Sequence, residues 1–158
     1  MQVVKVIGIE EVNAKLRALA NRSMKKDNGT VVVGYTQRYA IYVHEVQAKH
    51  KEGKQWKYLE TAVRRLAPQI PKIVETIYWY SQSIVKGLLV AGLRIQRDSM
   101  KMVPIDTGAL RASAYTAKLE NAPAAAATAR ARAEAKESAV KQKRTNKQAG
   151  KTIAKNIT

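Results

Sequence analysis

The chain has 158 residues, 46% of them apolar, which is enough to bury one modest core and too little for several domains of ordinary size. Lys and Arg outnumber Asp and Glu 29 to 12, and the formal net charge of +17 favours polyanions as partners without providing any means of reading a sequence. With no cysteine, disulfides and thiolate chemistry are excluded, which fits a reducing compartment.

Taken in order, Val3, Val4, Val6 and Ile7 predict a short first strand broken at Gly8. The opening apolar run is too short for a secretory signal and has no small-residue cleavage site, so export by that route is not expected. Ile9, Val12, Leu16 and Leu19 recur at helical spacing, with Lys15, Arg17, Arg22 and Lys25 on the other side, and Asp27-Asn28-Gly29 turns the chain. Residues 30–36 are β-branched and predict a strand. A turn at Gln37-Arg38 then leads to residues 39–45 as the second strand of an antiparallel hairpin.

His44-Glu45 resembles the start of a zinc-protease helix, but that motif needs a second histidine three places beyond the glutamate, where Ala48 stands. The only other histidine, His50, is at no ligand spacing, so His44 reads as a strand-end residue touching loop or partner. Residues 46–55 have no periodicity and carry Lys49, Lys51 and Lys54, which predicts an exposed basic loop. Residues 56–66 predict a short helix, closed by Pro68 and restarted near Pro71.

Ile73, Ile77, Ile84, Leu88, Ala91 and Ile95 form one apolar stripe, predicting a single helix over 71–102, roughly 48 Å long. Glu75, Ser81, Gln82, Ser83 and Lys86 interrupt it, so it is a core or interface helix rather than a bilayer span. Tyr78-Trp79-Tyr80 covers nearly the whole helix circumference, so at least one ring must leave the stripe. We expect these three, with Leu88 and Tyr42, at a subunit interface, and Gly87 and Gly92 to let another backbone approach.

Pro104 ends the helix, and Asp106, Thr107 and Gly108 predict a tight turn, with Asp106 bonding its own backbone and Gly108 at positive φ. Asp106-Thr107-Gly108 also resembles the triplet of retroviral-type aspartic proteases. Those enzymes set it in an all-β dimer with two carboxylates sharing a proton, whereas here a long helix precedes it. Residues 109–118 alternate and predict a third strand. From Asn121 the composition shifts to Ala with Lys, Arg, Glu and Gln. The chain therefore divides into a domain over 1–118 and a tail over 119–158, expected outside the core and disordered or a frayed helix until a partner orders it. Arg130, Arg132, Lys141, Lys143 and Arg144 in that tail, with the basic loop, are candidates to face a polyanion or partner.

Four blocks, Val33-Gly34-Tyr35, Tyr39-Ala40-Ile41-Tyr42-Val43-His44-Glu45, Lys57-Tyr58-Leu59-Glu60-Thr61-Ala62 and Val103-Pro104-Ile105-Asp106-Thr107-Gly108-Ala109-Leu110-Arg111-Ala112-Ser113, jointly resemble the tailed-phage family of small neck or tail-completion proteins, described as minor tail components. The resemblance covers residues 1–118. It implies an α+β fold, a small antiparallel sheet packed against one long helix and an N-terminal helix. It also implies a homo-oligomeric ring, six- or twelve-fold, between portal or connector and tail, touching packaged DNA by non-specific electrostatics. Assembly would occur in the host cytoplasm and the destination would be the virion, with no membrane, cofactor or catalysis. The glycine that relatives place after the glutamate of the second block is replaced by Val46-Gln47-Ala48, and the tail aligns with nothing in the family. A general nucleic-acid-binding protein with a basic tail is the competing expectation.

Overall fold

The computed structural model of the chain describes residues 14–15, 17–18, 29–47 and 54–155. The expected first strand, most of the first helix, Lys49, Lys51 and His50 lie outside the described residues, although Ala14, Lys15, Arg17 and Ala18 are helical. The fold is mostly helical with a small antiparallel sheet, and is thus α+β. In order come β1 (Val31–Tyr35), α1 (Ala40–Glu45), α2 (Tyr58–Leu66), α3 (Ile70–Ser81), α4 (Ile84–Met102), α5 (Ala109–Ala112), β2 (Ala114–Lys118) and α6 (Ala122–Lys155), with 3-10 turns at Ala67–Gln69 and Leu119–Asn121.

Residues 39–45 do not form the second strand of a hairpin. β1 pairs instead with β2, Val31 opposite Lys118 and Tyr35 opposite Ala114. Ala40 and His44, four apart, are buried while Tyr42 between them is 67% exposed, so the segment obeys a period of 3.6 rather than 2. Packing decides it: the Tyr58 hydroxyl donates to the Ala40 carbonyl at 3.1 Å, and the His44 and Tyr58 rings meet edge to face at 5.0 Å. β-propensity yields to such tertiary contacts.

The single helix over 71–102 is two helices folded back on each other. Gln82 caps α3 in the left-handed region at φ 52°, its N–H bonding the Tyr78 carbonyl at 2.7 Å. Ser83, extended, opens α4 and accepts from the Lys86 N–H at 3.2 Å. This serine cap ends any continuous ladder. The apolar stripe continues across the break because both helices bury it against the same core: Ile73, Ile84, Ala91 and Ile95 are all buried. Gly87 serves this hairpin and not another subunit, since a Cβ there would come within 2.8 Å of the Val74 Cα. Gly92 similarly admits the sheet, where a Cβ would meet Thr116 Cγ2 at 2.8 Å.

The expected third strand over 109–118 begins as the short helix α5, and only its second half is extended. The alternation expected there fails at Ala114 and Tyr115, both buried, because both faces of β2 are covered. Val31, Val33 and Thr116 lie against Gly92 of α4, and Tyr35 reaches Ser99. Val32 and Tyr115, on the opposite face, pack with Ala122, Ala125, Ala126 and Ala129 of α6. The expectation that the last forty residues lie outside the core therefore fails for the first turns of α6.

Candidate functional site: an aromatic tip, a cavity and a basic helix

The α3–α4 turn carries Tyr78, Trp79 and Tyr80, and the structure separates their roles. Tyr78 packs on the core, as does Leu88, whereas Trp79 is 70% and Tyr80 86% exposed. The tip is braced from within. Tyr78 and Trp79 meet edge to face at 6.3 Å, and the Gln82 side chain donates to the Trp79 carbonyl at 3.3 Å. Tyr42 is the other exposed aromatic of the expected interface set, and it sits on α1.

At the far end of α4 a polar cluster is buried. The Tyr35 hydroxyl bonds Ser99 Oγ at 2.7 Å, and Ser99 Oγ also donates to the Gln96 carbonyl at 2.8 Å. Burial pushes the Tyr35 phenol up to about 12, and it raises Tyr58 further still. His44 is a buried helix residue rather than a strand end. Its Nε2 accepts the Glu60 N–H at 3.5 Å, leaving Nδ1 to donate to Glu45 at 2.7 Å. Glu60 is held below the usual carboxylate range by its bonds to Lys57 and Arg64.

Beside this cluster a cavity of about 690 Å³ opens between the end of β1, α1, α2 and the start of α6. Ile41, Leu59 and Ala126 wall it, Arg38 and Arg130 stand at its edge, and Thr36 lines it. Thr36 Oγ1 is the one buried side-chain polar atom among the described residues that has no hydrogen-bond partner. Leaving such an atom unsatisfied costs about 1–3 kcal/mol. Neither Arg38 nor Thr36 stands out in the sequence: a strand-end threonine and a turn arginine carry no signal until the fold closes around them.

The basic candidates divide. Lys54 donates to the Lys101 carbonyl at the C-terminal end of α4, where a cation is favoured. Arg132 bonds the Ala114 carbonyl at 3.2 Å, and Arg144 pairs with Asp106 at 3.2 Å, so both tie α6 to the body. Lys141 pairs with Glu137 at 3.0 Å, and Lys143 and Arg130 are exposed. Arg111, Arg132 and Lys136 line a second groove of about 460 Å³ between α4, α5, β2 and α6. Arg111, in none of the expected sets, joins it because α5 turns it toward α6.

In the turn after α4, Gly108 has φ 79°, and Thr107 rather than Asp106 makes the local bond, its Oγ1 accepting the Ala109 N–H at 3.2 Å. Pro104 follows the last helical turn, after buried Val103. Asp106 is 84% exposed in its ion pair with Arg144. Among the described residues no helix is long and apolar enough to cross a membrane, and no cluster of three or more His, Cys, Asp or Glu could hold a metal. A comparison with protein-family models found no match, and neither did comparisons with curated proteins and with solved structures.

Proposed function

We propose that the chain is a structural subunit of a tailed-phage particle. Six or twelve copies would form a ring at the head-tail junction, joining portal or connector to tail and lining the path of packaged DNA. The observation that carries this reading is the exposure of Trp79 and Tyr80 side by side on the helical tip. Large rings exposed to water are suited to anchor another protein surface. The four sequence blocks that resemble the neck and tail-completion family support the same reading, which involves no chemical step and no cofactor.

The basic side of the subunit would face DNA or acidic neighbouring rings. Copies carrying +17 each repel one another, so ring closure is templated on the connector or on nucleic acid and weakens at high salt. Particles made without the protein should contain filled heads unjoined to tails, and imaging of complete particles should place it at the junction. Normal particles in its absence would defeat the reading. Rings forming alone, equally well at low and high ionic strength, would defeat the templating.

The groove formed by Arg111, Arg132 and Lys136 favours one second reading, a general nucleic-acid-binding protein. It predicts that the free chain binds duplex DNA with log K falling by about 0.9 per phosphate contacted for each unit of log salt. It also predicts that Arg111→Gln together with Lys136→Gln lowers both that affinity and its salt slope.

A further inference from the structure

We propose that the ring closes head to tail, the Trp79–Tyr80 tip of one copy entering the next copy's cavity between β1, α1, α2 and α6. The inference rests on the ring reading and names the contact within it. The tip and the cavity lie at opposite ends of α4: Ile84 begins the helix at the tip, and Ser99, which bonds Tyr35 beside the cavity, is fifteen residues further along, roughly 22 Å. A subunit cannot fill its own cavity with its own tip. A knob and a socket on different parts of one surface make a heterologous contact, which closes a ring when the rotation between copies returns to its start.

The two surfaces also match chemically. A cavity of about 690 Å³ is in the range that encloses a drug-sized group, ample for an indole and a phenol. Arg38 and Arg130 have no acidic partner among the described residues, and a guanidinium stacks readily on the face of Trp or Tyr. Ile41, Leu59 and Ala126 offer the apolar walls. The tip therefore brings exposed aromatic faces, and the cavity supplies mixed apolar and polar walls with two arginines that have no acidic partner among the described residues.

The absence of native cysteine makes a disulfide test specific. One chain carries Tyr80→Cys, which leaves Trp79 in place, and a second carries Ala127→Cys, an exposed residue lining the cavity. Mixed on short duplex DNA under mild oxidation, they should give a covalent dimer that neither gives alone, and a chain with both substitutions should give a ladder. Trp79→Ala should weaken assembly at least about tenfold while leaving the monomer's circular dichroism unchanged. Arg38→Gln should weaken it less, without loss of monomer stability. A covalent dimer of Tyr80→Cys alone would mean tip-to-tip pairing and overturn the inference. Assembled rings without the 80–127 disulfide would overturn it while leaving the ring reading standing. Absence of any oligomer, on DNA or in particles, would remove both.

Discussion

The two faces of the β1–β2 sheet are covered in different ways. Toward α4 the contact interlocks: Val31, Val33 and Thr116 fill the hollow left by Gly92, and Tyr35 passes the helix to reach Ser99. Toward α6 the cover is alanine, with Ala122, Ala125, Ala126 and Ala129 laid against Val32 and Tyr115. Gly34 on that face leaves room for the Tyr115 ring, which a Cβ would approach within 3.0 Å. Hydrophobic stabilisation follows buried area, and a methyl buries little. The α4 side therefore supplies the interlocking contact, while α6 adds alanine packing on Val32 and Tyr115 and two arginine bonds, Arg132 to the Ala114 carbonyl and Arg144 to Asp106. One face is closed by interlocked side chains, and the other carries a charged helix on small ones.

The sharpest way to break this contrast is Ile95→Ala in the buried α4 core, expected to cost about 2–5 kcal/mol in urea denaturation. An equal loss from Ala129→Gly on the other side would erase the distinction. Gly92→Val should cost about 1–3 kcal/mol by forcing the helix off the sheet, read as a lower thermal midpoint with an unchanged m-value.

Tyr35→Phe removes the bond to Ser99 and should cost about 1 kcal/mol at neutral pH. Its alkaline behaviour sharpens the point. Burial raises the Tyr35 phenol from its ordinary 10.0 to about 12, so the folded state favours the neutral form. That contribution is complete below pH 10 and is lost as pH rises through about 12. The variant should therefore show a shallower loss of stability across that window, followed by circular dichroism. The smallest effect is expected from Arg144→Gln: an exposed ion pair contributes only about 0.2–1 kcal/mol, so global stability should barely move. Amide exchange in α6 near residue 144 should quicken, because an anchor of that helix is gone.

Where local chemistry settled the matter, the chain could be read directly. β1, α2 and the helix stop before Pro104 follow from β-branching, amphipathic spacing and a missing amide proton. The break between α3 and α4 was written in Ser83, but an apolar stripe that continued across it concealed the cap. Residues 39–45 alternate convincingly enough for a strand, and only the burial of Ala40 and His44 against Tyr58 makes them helical. The aromatic run announced an unusual surface, though not that Tyr78 turns inward while Trp79 and Tyr80 do not. The cavity was not legible at all, because its walls come from three stretches, 34–44, 58–59 and 123–130, that only the fold brings together.

The sheet has one more consequence. Its strands are split by the entire helical layer, Ala40 to Ala112, so during synthesis β1 leaves the ribosome long before β2 exists. Val31-Val32-Val33 is a β-branched run with no charge, the kind of sequence that pairs with copies of itself when left waiting. Fragments truncated before Ala114 should for that reason aggregate through this run, and recombinant pieces of the protein will stay in solution only if they keep both strands.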